Sequence, residues 1–290
     1  MRFQLTEDQV ALRSGVRELL ARRFDAGALR AAVDAPGLDR GLWRELGAAG
    51  FFSLRVPEAD GGVGLGLPEA VLVFEEAGRV LLPGPLVATH LAAGVVDGAS
   101  EGEVVVTDVD RDGLVEWLDV ADVVRGDAAG AVALKSVDPL TPLHRVPGAA
   151  GGAVDPVADL LTAAEQLGTA VRAGELAVQH ARTREQFGQA IGAFQAVKHL
   201  CAGMLVRVET ARVAVYAAAV TGDPVDIAAA RLLADEAAEQ GARDCLQVHG
   251  GMGFTWESEV HLLLKRAWVR ARRGGGRTER EESLAVDLLA

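Results

Sequence analysis

The chain has 290 residues, enough for one large domain or two to three packed lobes around a sizeable core. Half of the residues are hydrophobic and 24% are charged, which is globular composition, and only 4% are aromatic. Acidic residues outnumber basic ones by 41 to 29, a net charge of -12, so the overall field repels nucleic acid and anionic membrane surfaces and neither is an expected partner.

The N-terminus, Met1 to Asp8, lacks the apolar core of a signal peptide, and no stretch approaches ~18 uninterrupted apolar residues. Thr6 and Gln9 form a capping-box pattern, and Leu12, Val16, Leu19, Leu20 and Phe24 then follow helical spacing, which predicts a first helix with a core face. A second helical stretch carries Leu42, Trp43 and Leu46 and breaks at Gly50. The glycine-rich run from Val56 to Gly66 reads as a loop. A third helix is predicted from about Leu67 to Gly78, and after Pro83-Gly84-Pro85 a short one from Leu86 to Val96. Between Glu101 and Pro156 the texture changes: Val104-Val105-Val106, Val123-Val124 and Ala131-Val132-Ala133 are short β-type runs separated by Asp and Gly. After Asp155-Pro156 helical spacing returns with Leu160, Ala164, Leu167 and Val171. A long amphipathic helix is expected from near Phe194, with Val197, Cys201, Met204, Val208, Ala211 and Val215 along its seam. Asp223 and Pro224 have the chemistry of an N-cap and first helical residue. The helix they open should run to about Val248, and Glu257 to Arg273 should form a last, basic helix stopping at Gly274-Gly275-Gly276. The expected fold class is therefore mainly α, in three parts: an N-terminal helical domain (1–100), a reduced β-rich middle segment (101–156) and a C-terminal helical bundle (157–290).

Several chemistries lack their residues. There is no P-loop, no G-x-G-x-x-G opening a helix after a strand, no H-E-x-x-H and no G-x-S-x-G. The six histidines are not grouped with carboxylates in metal-ligand spacing, so no metal site is expected; His199 and His261 read as lone helical histidines with surface or satisfied core roles. Cys201 and Cys245 are far apart, which excludes a disulfide framework and points to a reducing, cytoplasmic setting.

The most specific signal is Arg184-Glu185-Gln186-Phe187-Gly188-Gln189-Ala190-Ile191-Gly192-Ala193-Phe194-Gln195, followed one helical hairpin downstream by Gln247-Val248-His249-Gly250-Gly251-Met252-Gly253-Phe254. Arg184 is a permanently charged fork suited to a pyrophosphate, Phe187 offers a flat apolar face, and Gly250 and Gly251 let backbone N–H groups approach an anion closely. The bland reading of the same residues is an ion-paired arginine and glycines that merely end a helix. The two stretches resemble the R-x-Q-F-G-x-x-I-x-x-F-Q and Q-x-x-G-G-x-G-[FY] signatures of acyl-CoA dehydrogenases. Trp43 to Gly66 is similar to that family's W-x-x-L-x-x-x-G…P-E-x-x-G-G-x-G-L-G segment, and Glu75-Glu76-Ala77-Gly78-Arg79 to its E-E-x-G-R. Within the family, Ala163 to Gly168 and Gly253 to Glu257 most resemble actinobacterial enzymes of steroid side-chain and related acyl-CoA breakdown.

The resemblance implies an FAD-dependent oxidoreductase that converts an acyl-CoA thioester to its trans-2-enoyl form, with a C-terminal four-helix bundle and an electron-transfer acceptor. A carboxylate removes the proton beside the carbonyl, hydrogen bonds polarise that carbonyl, and the flavin accepts hydride. It also implies cofactor-binding roles for Arg184, Phe187, Gln195, Gln247, Gly250 and Gly251, which in homomeric relatives reach the ADP half of an FAD held mainly by the neighbouring subunit. Two departures stand out. The middle segment spans only 56 residues, where a self-contained β domain takes about 100, and counterparts of T-E-P-x-A-G-S-D and W-I-T-N are missing. The family's base positions fall near Gly274 and Ala158, neither a carboxylate, with Asp159 adjacent to the second. No catalytic residue is therefore assigned. The expectation is the smaller subunit of an α2β2 hetero-oligomer whose larger acyl-CoA dehydrogenase partner holds the flavin ring and base. A stand-alone dehydrogenase with a displaced base (Asp155, Asp159, Glu257 or Glu259) and a non-catalytic structural subunit are the alternatives. The cluster Arg266, Arg270, Arg272, Arg273, Arg277 and Arg280 reads as a solvated basic helix end or as a receptor for a CoA phosphate or an acidic partner.

Overall fold

Asp-Pro opens two of the three longest helices. Asp155 accepts from the N–H groups of Val157 and Ala158 and starts α6 (Pro156–Thr183), while Asp223 accepts from Val225 and Asp226 and starts α8 (Pro224–His249). In each, the proline at the first helical position lacks an N–H that would have gone unbonded, and a cap of this kind contributes about 1 kcal/mol. The computed structural model describes residues 4–149 and 155–289; residues 1–3, at the head of the stretch read for a signal peptide, and residues 150–154 of the middle segment lie outside them. No helix described is long and apolar enough to cross a membrane.

The N-terminal helices are α1 (Glu7–Arg23), α2 (Ala26–Asp34), α3 (Arg40–Ala48), α4 (Leu67–Arg79) and α5 (Leu86–Ala92). The Thr6–Gln9 capping box forms as the sequence predicts. α5 stops four residues before the predicted end, and α2, capped by Asp25, was not predicted. Five three-residue strands follow: β1 (Val106–Asp108), β2 (Leu114–Glu116), β3 (Val123–Arg125), β4 (Val132–Leu134) and β5 (Leu143–Arg145). β1 pairs in parallel with β3, Val106 opposite Val123, and β5 lies between β2 and β4 in an antiparallel sheet with Leu143 opposite Glu116 and Leu134. The middle segment is thus a reduced β region, although three of its strands sit one or two residues from the predicted runs and β2 and β5 carried no visible pattern.

The C-terminal part is built on α6, α7 (Gln195–Thr221) and α8, with a two-stranded hairpin, β6 (Glu185–Gln186) and β7 (Gln189–Ala190), between the first two. The predicted α7 seam holds: Met204, Val208, Ala211 and Val215 are buried. α9 runs Val260–Arg272, shorter than expected at its start, and is followed by an unpredicted α10 (Arg277–Leu289). One apolar core runs from Leu20 and Phe24 through Trp43, Phe52 and Phe74 into Leu160, Leu167, Ala234 and Leu263, so the N-terminal helices and the bundle share an interior. α4 and α6 cross almost backbone to backbone. A Cβ on Gly78 would lie 2.0 Å from the Glu165 carbonyl oxygen and one on Gly168 1.9 Å from that of Glu75, so glycine is required on both sides of the crossing.

The arginines of α9 and α10 are the principal correction to the sequence reading. Arg266 lies buried against Asp138, Arg270 pairs with Glu165 at 2.7 Å, Arg273 pairs with Glu116, and Arg280 reaches Asp159. Arg266, Arg270 and Arg280 are buried and Arg273 is half-buried, and all four are ion-paired; they tie the last two helices to the middle segment and to α6. Burial drives the Arg270 guanidinium down to about 10 in spite of the adjacent Glu165, whose carboxyl burial likewise raises, so both charges depend on each other.

Candidate functional site

The three bundle helices give α6 and α8 the same direction, and their C-terminal ends meet. The His180 ring, in the last turn of α6, stacks on the His249 ring, the last residue of α8, with centroids 4.1 Å apart and planes 20° from parallel. Beyond α6 the chain makes a two-residue hairpin turn at Phe187-Gly188, with φ of 55° and 79°. Positive φ at both central residues is the type I′ pattern, and Phe pays for it in strain that Gly does not. The turn holds the Phe187 ring 91% exposed and edge-on to Phe194, 6.0 Å away. The Ile191 N–H donates to the Arg184 carbonyl at 2.8 Å, which returns the chain to α6, and Gln195 then opens α7 at the same end. Gln247, Gly250 and Gly251 follow from the end of α8. The six residues predicted from the sequence therefore share one end of the bundle.

The bland reading fails for the arginine and holds for one glycine. Arg184 is exposed, and among the described residues it forms no ion pair. Gly250 does cap α8, donating to the Gln247 carbonyl, but its φ of 59° with ψ of -143° is a conformation for glycine alone. Around Gly250 and Gly251 nothing lies within 4 Å of where a Cβ would stand. An uncommitted cation, an open backbone and an exposed aromatic face are what the ADP half of a dinucleotide requires, so these residues fit that group. Met252, Phe254 and Trp256 extend the apolar surface; Trp256 is stacked on His261, with the Lys265 ammonium 4.6 Å from its ring. His261 is buried, and among the described residues neither ring nitrogen meets a partner in good hydrogen-bond geometry, so it is not the satisfied core histidine expected.

At the other end of α6 lies a cavity of about 350 Å³, and both positions named for the family's base, Ala158 and Gly274, line it. Its charged walls are already matched. Asp108 takes the Arg125 fork at 2.6 and 2.5 Å, and Asp110 accepts from the Gly274 N–H at 3.1 Å and from the N–H groups of Asp112 and Leu114. Asp155 is spent on capping α6. Asp159 is buried between Arg231, at 3.0 Å, and Arg280, at 2.5 Å. Arg231 is itself 1% exposed and also holds Asp235. Each of the two Asp159 oxygens is thus held by a guanidinium, which leaves neither free to face a substrate. Of the other carboxylates considered, Glu259 pairs with Arg172 at 2.9 Å, and Glu257 is exposed next to Trp256, at the end of α8 remote from the cavity. Sequence reasoning missed the Arg231 and Arg280 locks because their partners are 72 and 121 residues away.

Models of known families match over most of the chain: the acyl-CoA dehydrogenase N-terminal domain at residues 6–101 and the acyl-CoA dehydrogenase C-terminal domain at residues 159–284. Acyl-CoA dehydrogenase IpdE2 of Mycobacterium tuberculosis is 35% identical over 90% of this chain and 91% of its own length. Among solved structures, the ChsE4-ChsE5 complex from Mycobacterium tuberculosis contains a chain with a TM-score of 0.86 and 26% identity, matched over 100% of this chain and 99% of that one. A variant of the Tcur3481-Tcur3483 steroid ACAD gives a TM-score of 0.83 and 25% identity over 98% of both chains.

Proposed function

The chain belongs to the acyl-CoA dehydrogenase family, whose members are oxidoreductases acting on CH–CH bonds, and from that premise we propose that it is the smaller subunit of a hetero-oligomeric acyl-CoA dehydrogenase. In this reading the assembly is α2β2, and the three segments 1–100, 101–156 and 157–290 are its N-terminal, reduced middle and bundle parts. Arg184, Phe187, Gln195, Gln247, Gly250 and Gly251 bind the ADP half of an FAD whose flavin ring, together with the catalytic base, belongs to a larger partner subunit. FAD, when bound, supplies the hydride acceptor for desaturation of the acyl-CoA. This chain's own residues bind and orient: Arg184 meets phosphate charge, the Gly250-Gly251 backbone permits close approach, and Phe187 covers an apolar face.

The observation that carries the reading is the contrast in commitment between the two ends of α6. Ala158 and Gly274 line a cavity whose carboxylates are all bound, whereas Arg184 is unpaired among the described residues. The helix between the two ends has 28 residues, about 42 Å at 1.5 Å per residue, too far for one cofactor to be served by both ends of a single chain. The likeness to chains of the ChsE4-ChsE5 complex and the Tcur3481-Tcur3483 steroid ACAD supports a partner subunit, and the second supports a steroid side-chain acyl-CoA as substrate. An electron-transfer acceptor and a cytoplasmic setting, consistent with two free cysteines, complete the proposal.

The test is flavin absorbance and mass of the chain purified alone and after co-expression with a full-length acyl-CoA dehydrogenase from its genomic neighbourhood. Colourless alone, and yellow as a mixed complex with about one FAD per copy of this chain, is the expected result. Yellow and active alone would overturn it in favour of the stand-alone enzyme.

A further inference from the structure

Between the two cofactor motifs sits a group that neither motif explains. His180 is four residues before Arg184 and so shares its side of α6, and His249 stacks on it from the end of α8. The His249 Nδ1 lies 2.8 Å from the Cys245 carbonyl oxygen. A carbonyl only accepts, so Nδ1 carries the proton and donates, leaving Nε2 as the basic nitrogen. The charged groups facing the pair are Arg184 from the end of α6 and each imidazole for the other; the Cys245 thiol lies 3.7 Å from Nδ1. Among the described residues neither ring pairs with a carboxylate: of those five positions away in sequence, Glu185 is exposed on the hairpin, Glu175 pairs with Arg79 and Asp244 with Arg207. Three cationic or potentially cationic groups thus converge with no counter-ion of their own.

We propose that His180, His249 and Arg184 together form the receptor for the cofactor's diphosphate, and that His180 takes up a proton as the anion docks. This rests on the shared-cofactor reading above. In the free chain, burial, His249 and Arg184 all hold the His180 imidazole below its ordinary value, which favours its neutral form. A dianion alongside reverses the balance and favours the imidazolium. The sign follows: binding absorbs a proton, so cofactor affinity is greatest at low pH and weakens as pH rises through the bound-state value. His180 and His249 act here as binding residues, separate from the proton transfers of catalysis.

The experiment measures the FAD dissociation constant of the co-purified complex by flavin fluorescence from pH 6 to 8.5. Complexes carrying His180→Gln, His249→Asn or both are compared with the unmodified one, so that titrations in the partner cancel. The unmodified complex should lose affinity about tenfold over that range and the double variant less than about twofold. A flat profile in the unmodified complex, or an unchanged slope in the double variant, overturns the proposal. Should the double variant not assemble, His180→Gln alone decides, because it leaves the Cys245–His249 bond intact; its slope must fall. Arg184→Ala in the same assay separates the two readings: full FAD retention there removes the shared site itself, whereas lost FAD with unaltered histidine slopes removes only the proton-linked receptor.

Discussion

The two ends of α6 carry similar residues to opposite outcomes. At the N-terminal end, acid and base are present in matched numbers and consume each other: Asp159 with Arg231 and Arg280, Asp108 with Arg125. At the C-terminal end Arg184 and two histidines stand without a carboxylate among the described residues, and an aromatic ring is held in solvent by a strained turn. A charge satisfied inside its own chain stabilises a fold, and a charge left over is available to something else. A position in a family's catalytic pocket therefore says little until the pairing around it is known.

The sharpest way to break this contrast is Arg231→Ala. It leaves Asp159 to Arg280 alone and takes the guanidinium from Asp235, which keeps Gln166, and should cost about 3–5 kcal/mol in denaturant unfolding of the complex. A loss under about 1 kcal/mol would mean that the closed end is not locked by charge. Asp159→Asn comes next, at about 3 kcal/mol, because both guanidiniums lose a charged acceptor. Turnover per assembled complex should be unchanged, and a fall of several powers of ten with stability retained would instead make Asp159 the base. Arg184→Ala should weaken FAD binding by about 2 kcal/mol, roughly thirtyfold in the dissociation constant. Its unfolding free energy should stay within about 0.5 kcal/mol, since the guanidinium supports nothing in its own chain. The smallest effect has the opposite sign. Phe187→Asn relieves the positive φ of the turn and should raise stability by about 1 kcal/mol while FAD retention falls. Lower stability there would show that the ring is structural.

Much of this was legible in the sequence because it was local or periodic. The Asp-Pro starts, the Thr6 capping box and the Met204–Val208–Ala211–Val215 seam depend on residues within a few positions of one another. The two motifs were legible too, and helix direction then brought them together at the C-terminal end of α6. The three-residue strands were harder: Leu114–Glu116 and Leu143–Arg145 are too short to display alternation, and their register is set by each other across the sheet. α10 gave only the i,i+4 pair Arg277–Glu281, and helix α2 only its Asp25 cap. The basic run on α9 and α10 was misread for a different reason. Composition counts its arginines but cannot count the carboxylates that meet them, which come from 105 residues upstream for Glu165 and 128 for Asp138.

The backbone crossing at Gly78 and Gly168 bears on how force travels through an assembly. Side chains normally give helices a compliant layer in which to slide past one another; here two main chains touch with none between them. The open end of α6 and the helix α4 are thus joined through a contact that has no side chain to yield. The N-terminal lobe then answers to whatever grips the bundle as one lever, and a methyl group at either glycine would act as a wedge at its fulcrum.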